Sequence, residues 1–228
     1  DVEGVLALSP RWTLPARNLS NLSYTEAAEL AVFSQPMLHP SAVEPLRELG
    51  IPLNLRPLHS PEDDGTIIGP SIRLETPCVR AVGCLPRQVQ FSWSLSGAIS
   101  LTECVTDAMS ALARARIQVS SIHAQPGNVQ LLISSRMAAR ARRILSAQPS
   151  LPTPEIGDSV SILCFVGEGI GEDCDLWGTI AKHADSSGID FQFSEQEPRP
   201  HAIHAFVPAN QTEWALQTLC SALDLLSQ

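Results

Sequence analysis

An internal repeat is the feature that most constrains the fold of this 228-residue chain. A strand-like segment, a helical segment, two further strand-like segments and a second helical segment follow one another in that order twice. Ile117 of the first copy corresponds to Ile189 of the second, which is 72 residues later. A period of this length excludes short-repeat solenoids and is typical of two small domains that mix strands and helices. The sequence therefore predicts two copies of one α+β domain.

The repeat is read from pairs of segments with similar hydrophobic patterns. The pairs, first copy against second, are 88–95 and 160–167, 102–114 and 174–186, 117–122 and 189–194, 129–133 and 203–207, and 136–147 and 211–226. A segment containing three prolines, residues 149–154, lies between the copies and predicts a stiff connector.

Local signals in the first seventy residues predict the end of an α/β unit. Ser23 and Glu26 have the spacing of a capping box, so a helix is expected over 25–32. A second helix, opened by Pro, is expected to end at Gly50, since glycine tolerates the left-handed backbone that closes a helix. A strand over 51–55 would follow directly.

Charge and cysteine usage exclude several classes of function. The net charge is −9, and nucleic acid or an anionic membrane surface needs clustered Lys and Arg, so neither is an expected partner. The Arg-rich run 136–143 has the spacing of a solvated helix face. The six cysteines form no Cys-x-x-Cys pair, which predicts free thiols and no metal ligands. No apolar run is long enough to cross a membrane, and the expected compartment is the cytoplasm.

Six short motifs occur in a fixed order near the start of the chain. They are Asp1-Val2-Glu3-Gly4, Ser9-Pro10-Arg11, Ser23-Tyr24-Thr25-Glu26-Ala27, Leu38-His39-Pro40, Ile51-Pro52 and Gly65-Thr66-Ile67-Ile68. This order resembles the end of the catalytic domain of aspartate kinases. Each repeat copy resembles an ACT domain, the small-molecule-sensing module that follows that catalytic domain in the family.

The resemblance implies an α/β fold made of three parts. The C-terminal portion of an amino-acid-kinase sheet would occupy residues 1–72. Two ferredoxin-like α+β domains of βαββαβ, ACT type would follow at 73–150 and 151–228. Because the chain begins with Asp inside a motif of the family, we expect it to be a piece of a longer protein.

The resemblance also implies a nucleotide site in the opening motifs. Asp1, Arg11 and Met37 fall at positions that contact ATP in the family, whereas Leu6, Ser9 and Pro36 replace its usual Tyr, Asp and Lys. The phosphate-binding Lys-x-Gly-Gly segment and the aspartate pocket have no counterpart here. No catalytic residue is therefore expected within these residues, and the chain alone is expected to be inactive.

A glycine-containing turn in the second copy is the candidate effector site. Gly169, Gly171, Asp190 and Phe191 are the residues that the ACT resemblance implies. The spacing Gly-x-Gly-x-Gly differs from a dinucleotide fingerprint, and the acidic residues around it would repel a pyrophosphate. In the alternative interpretation, both copies are dimerisation scaffolds and bind no amino acid.

The implied activity is that of aspartate kinase, with ATP and L-aspartate as substrates, Mg²⁺ as the metal and a homodimer formed through the ACT copies. It would serve lysine, threonine and methionine biosynthesis. The alternatives are a non-catalytic amino-acid-sensing or dimerisation module, and the kinase part of a bifunctional aspartokinase–homoserine dehydrogenase.

Overall fold

The computed structural model describes residues 4–33, 40–59, 65–70, 76–95, 97, 99–194 and 199–227. The chain forms two compact units, one built from 1–85 together with 162–228 and the other from 86–161. These units are defined by packing, and the sequence-derived domain ranges 1–72, 73–150 and 151–228 stay a prediction. Among the described helices, none has the length and apolar character needed to cross a bilayer.

Short strands and two helices form the first part of the first unit. In chain order they are β1 (Val5–Leu6), β2 (Asn18–Leu19), β3 (Asn21–Ser23), α1 (Tyr24–Phe33), α2 (Pro40–Leu49), β4 (Leu53–Leu55) and β5 (Thr66–Gly69). β1 pairs antiparallel with β2. β5 lies between β3, to which it is parallel, and β4, to which it is antiparallel. This parallel pair beside a helix is the predicted end of an α/β sheet.

The structure confirms the predicted start of α1 and the predicted end of α2. The Ser23 amide donates to Glu26 Oε2 over 2.8 Å, and the Glu26 amide donates to Ser23 Oγ over 3.1 Å, which is the expected capping box. Gly50 has a φ of 64° and closes α2. The amide of Ile51 donates back to Leu46 O and residue 52 is a proline, so β4 begins at Leu53 rather than at 51.

The second unit contains the first repeat copy. Its elements are β6 (Ala81–Ser94), α3 (Leu101–Arg114), β7 (Ser121–Gln125), β8 (Asn128–Ser134), α4 (Ser135–Ser146) and the first half of β9 (Glu155–Val166). The strand order β9-β6-β8-β7 is that of a ferredoxin-like sheet in which β9 takes the place of the fourth strand. The hydrophobic core includes Phe91, Trp93, Leu112, Leu131, Ile133 and Leu145.

The second copy completes the first unit and repeats this pattern. After β9 it contains α5 (Cys174–Ser186), β10 (Gln192–Phe193), β11 (Ala202–Pro208) and α6 (Thr212–Ala222). Here the order is β10-β11-β9-β6, with β6 in the fourth position. The predicted β-α-β-β-α repeat is therefore confirmed. All six cysteines are free, and four of them are buried.

The strands that follow the first helix of each copy begin later than the sequence indicates. The sequence predicts their starts at 117 and 189, whereas they begin at Ser121 and Gln192. The amide of Ile117 donates to Leu112 O, and that of Ile189 donates to Ala184 O. These amides close the preceding helices, so they are not available to a strand.

Candidate functional site

Arg11 lies in a short 3₁₀ turn, Pro10–Trp12, at the exposed surface of the first unit. Its guanidinium stacks over the Trp12 ring, 4.8 Å from the ring centroid, and Nη2 donates to the carbonyl of Cys84. These contacts fix the side chain and leave other guanidinium donors for a ligand. Asp1 and Met37 lie outside the described residues, so the nucleotide site as a whole stays a prediction.

The turn between β9 and α5 is held by close backbone approaches. Gly169 has a φ of 76°, which favours glycine. A Cβ on Gly171 would lie 1.9 Å from Arg199 O, and one on Gly167 would lie 2.1 Å from Cys78 O. Two of the three glycines are thus required by packing, and Gly169 by its backbone angle.

An aromatic cluster connects this turn to β10. Trp177 Nε1 donates to Ile170 O in the turn over 3.1 Å, and its ring lies 4.8 Å from Phe193. Phe191 meets Phe193 edge to face, with centroids 5.0 Å apart. Trp177, which the sequence reasoning did not select, therefore links the turn that carries Gly169 and Gly171 to predicted residue Phe191.

Asp190 makes a different contact. It is exposed, and its amide donates to the side-chain oxygen of Gln211 at the start of α6, over 2.8 Å. The described contacts bring Phe191 to the aromatic cluster and Asp190 to α6. That Asp190 and the glycine turn contact one ligand stays a prediction.

Two buried carboxylates, Glu168 and Glu26, are not among the site residues predicted from the sequence. Glu168, within the glycine turn, is 8% exposed, and its Oε2 lies 2.9 Å from His201 Nδ1. Its other oxygen, Oε1, is buried and has no hydrogen-bond partner among the described residues. An oxygen in this state can accept a hydrogen bond from a ligand's ammonium or amide group.

Glu26 is the second of these carboxylates and is fully buried. Arg80 Nη1 lies 3.1 Å from its Oε2. Burial raises the pKa of Glu26 above its usual value, the Ser23 hydrogen bond and Arg80 oppose that rise, and the nearby charge of Glu168 adds to it. The charge of Glu168 in the glycine turn therefore lies near that of Glu26 at the start of α1. No sequence pattern signals this, because the two residues are 142 positions apart.

Known proteins are similar to this chain in sequence and in fold. The bifunctional aspartokinase/homoserine dehydrogenase of Haemophilus influenzae is 25% identical over 232 residues, covering 98% of this chain and 28% of that protein. Chloroplastic aspartokinase 3 of Arabidopsis thaliana is 40% identical over 68 residues, covering 30% of this chain and 12% of that protein. No protein-family model matches the chain.

Solved structures match over nearly the whole chain. The aspartate kinase of Clostridium acetobutylicum has a TM-score of 0.83 at 20% identity, covering 98% of this chain and 52% of its own. E. coli aspartokinase III with aspartate and ADP has a TM-score of 0.79 at 21% identity, covering 98% and 51%. The regulatory subunit of Thermus thermophilus aspartate kinase gives 0.51 at 19% identity, covering 64% of this chain and 97% of that subunit.

The fold is thus the C-terminal portion of an amino-acid-kinase sheet followed by two ferredoxin-like domains of ACT type. By sequence, the chain is similar to aspartokinases and bifunctional aspartokinase/homoserine dehydrogenases. It spans about half the length of the matched structures and 28% of the bifunctional relative.

Proposed function

We propose that this chain is the C-terminal part of an aspartate kinase, which transfers the γ-phosphoryl group of ATP to the side-chain carboxylate of L-aspartate. The observation that carries the proposal is the match to one bifunctional relative over 98% of the chain. That match runs through the kinase-like motifs and both repeat copies in one order. The product would enter lysine, threonine and methionine biosynthesis, and Mg²⁺ would accompany ATP.

Arg11 is the described residue that we assign to the nucleotide. A guanidinium is planar and permanently charged, and phosphoryl transfer depends mainly on positioning and charge stabilisation. The stack on Trp12 and the bond to Cys84 O hold it in one orientation. Asp1 and Met37 would complete this part of the site.

The experiment uses the full-length protein that contains this chain, assayed by coupled ADP release with aspartate, ATP and Mg²⁺. Losing a charge-assisted contact costs roughly 1.5–3 kcal/mol, so Arg11→Ala should lower kcat/KM for ATP about ten- to a hundredfold. Arg47→Ala is the matched control, because the partner of Arg47 among the described residues is Glu44, in an exposed ion pair. Asp190→Ala should leave the effector-free kinetics unchanged.

Three results would overturn the assignment. They are no aspartate-dependent turnover by the full-length protein, a larger loss for Asp190→Ala than for Arg11→Ala, or turnover above background by the 228-residue chain alone. Arg11→Lys separates fold from function, since it keeps the charge and loses the planar fork. Its melting temperature should match that of the parent while its kcat/KM falls.

A second function, amino-acid sensing, is supported by the unpartnered Oε1 of Glu168. An ammonium group bound there would satisfy the buried oxygen. Gly169, Gly171, Asp190 and Phe191 would line this site. Thermal shift with lysine, threonine and methionine tests it: one of them should raise the melting temperature, and Glu168→Gln should abolish the rise. No shift with any of them would favour a dimerisation scaffold.

A further inference from the structure

Three potential metal ligands from distant parts of the sequence meet inside the first unit. They are Glu29 from α1, Cys164 from β9 and His204 from β11. One ligand atom of each lies within 4.8 Å of the other two. We propose that this Glu-Cys-His cluster binds a divalent transition-metal ion, with Zn²⁺ as the best match.

The unpartnered nitrogen of His204 is the observation that points to a ligand. Its Nε2 is buried and has no hydrogen-bond partner among the described residues. The nearest carboxylate oxygen, Glu29 Oε2, is 4.0 Å away, beyond hydrogen-bond range. A buried polar atom without a partner destabilises the folded chain. A metal ion between His204 Nε2 and Glu29 Oε2 would give each of these atoms a partner.

The neighbours of His204 already hold its ring as a ligand requires. The Phe33 ring lies 4.8 Å from the imidazole, centroid to centroid, which restricts its rotation. Burial lowers the pKa of His204, while the nearby Glu29 charge opposes this. The neutral imidazole is the form that binds a metal.

Glu29 is oriented by an ion pair outside the cluster. Arg199 Nη1 donates to Glu29 Oε1 over 2.6 Å, and this leaves Oε2 directed at His204. Partners of this kind commonly fix the orientation of a ligating carboxylate. The Arg199 side chain is 59% exposed, so solvent screens its repulsion of a bound cation.

Cys164 supplies the ligand that selects the metal. It is fully buried, and burial raises its thiol pKa well above the usual value, to which the Glu29 charge adds. A bound dication reverses this preference: the thiol proton passes to the buffer, and thiolate, carboxylate and metal sum to zero charge. Mixed sulfur, nitrogen and oxygen ligands suit Zn²⁺, whereas Mg²⁺ and Ca²⁺ take oxygen alone.

The distances require only small movements. Ligand atoms roughly 2.0–2.3 Å from a tetrahedral Zn²⁺ lie about 3.3–3.8 Å from one another. The separations in the cluster, up to 4.8 Å, would close by about 1.5 Å or less. The ion would tie α1 to β9 and β11, and a water molecule would take the fourth position. This inference does not depend on kinase activity.

The test is metal binding by the 228-residue chain in a Cys78→Ser, Cys174→Ser background, which removes the two exposed thiols. Competition with a chromophoric chelator should show one equivalent of Zn²⁺. Co²⁺ in its place should give a thiolate-to-cobalt charge-transfer band and the visible bands of tetrahedral coordination. His204→Gln should weaken Zn²⁺ binding at least about tenfold.

Cys164→Ser should abolish the charge-transfer band. Its matched control is Cys104→Ser, a buried thiol in the other unit, which should keep the band. Absence of the band in the folded parent overturns the proposal even when a variant fails to fold. Zn²⁺ affinity that is equal in the parent, His204→Gln and Cys164→Ser would also overturn it, since the ion would then be held by surface groups.

Discussion

Arg116 and Gly188 occupy the same position in the two repeat copies, and both have a left-handed backbone, with φ of 54° and 67°. Each follows the end of its helix, and the next amide, that of Ile117 or Ile189, donates back five residues into the helix. This is the same helix-closing motif twice, once with glycine and once without.

Substitutions at these two positions should change the stability of the chain in opposite directions. Arg116→Gly should stabilise the chain by about 1 kcal/mol, because a residue with a Cβ is strained in the left-handed region. Gly188→Ala should destabilise it by a similar amount, since no atom lies within 4 Å of the added Cβ and only backbone strain acts. Urea denaturation measures both. A fall in stability for Arg116→Gly would show that its side chain contributes more than its backbone costs.

The glycine turn offers a second contrast, between Gly171 and Gly178. Gly171→Ala should destabilise the first unit by about 1–3 kcal/mol, because its Cβ would collide with the backbone carbonyl of Arg199. Gly178 lies inside α5 with no atom within 4 Å, so Gly178→Ala should stabilise the chain by roughly 0.5–1 kcal/mol. Equal melting temperatures for the two variants would contradict this account of the turn.

Two capping boxes with the same sequence pattern should respond to pH in opposite directions. The pKa of buried Glu26 is raised, so the folded chain binds more protons than the unfolded chain, and stability falls as the pH rises from about 4.3. Backbone and side-chain hydrogen bonds from Ser100 lower the pKa of exposed Glu103. Its contribution is present above the unfolded pKa and is lost as the pH falls through the folded one.

Gln substitutions isolate these two effects. Glu26→Gln keeps the cap bond to Ser23, and in this variant stability should fall less as the pH rises. In Glu103→Gln, stability should rise less as the pH rises. Urea midpoints between pH 3.5 and pH 7, about the usual range of a carboxyl titration, measure the slopes. Slopes that change in the same direction in both variants would mean that burial does not determine the pKa shift of Glu26.

Local signals explain which parts of the fold could be predicted from sequence. The capping box of Ser23 and Glu26 lies within four residues, and Gly50 closes its helix by its own backbone freedom. The predicted start of α1 and end of α2 are therefore correct. The strand starts at 121 and 192 were wrong because β propensity at Ile117 and Ile189 is overridden by helix-closing hydrogen bonds. Gly188 carried a signal for this, as glycine commonly follows a helix.

The candidate sites are harder to predict from the sequence, because they join residues that are distant along the chain. Arg11 meets the carbonyl of Cys84, 73 positions away, and Glu168 influences Glu26 across a longer interval. The glycine turn was identified from its composition, but the burial of Glu168 depends on tertiary packing. His201 Nδ1 lies 2.9 Å from Glu168 Oε2, whereas His204 lies beside a different carboxylate, that of Glu29.

Homodimer formation through the ACT-type sheets is the final prediction. β7 is the last strand of its sheet in the second unit, and a strand in that position can pair with another chain along its outer edge. Sedimentation velocity at micromolar concentration should give about twice 24.6 kDa. Ala124→Lys places a charge on this edge strand and should shift the chain toward monomer, since edge charges oppose strand pairing. Ala139→Lys, on an exposed position of α4, is the control and should stay dimeric. A monomer for the parent chain would contradict the prediction, and dimers for both variants would place the interface elsewhere than β7.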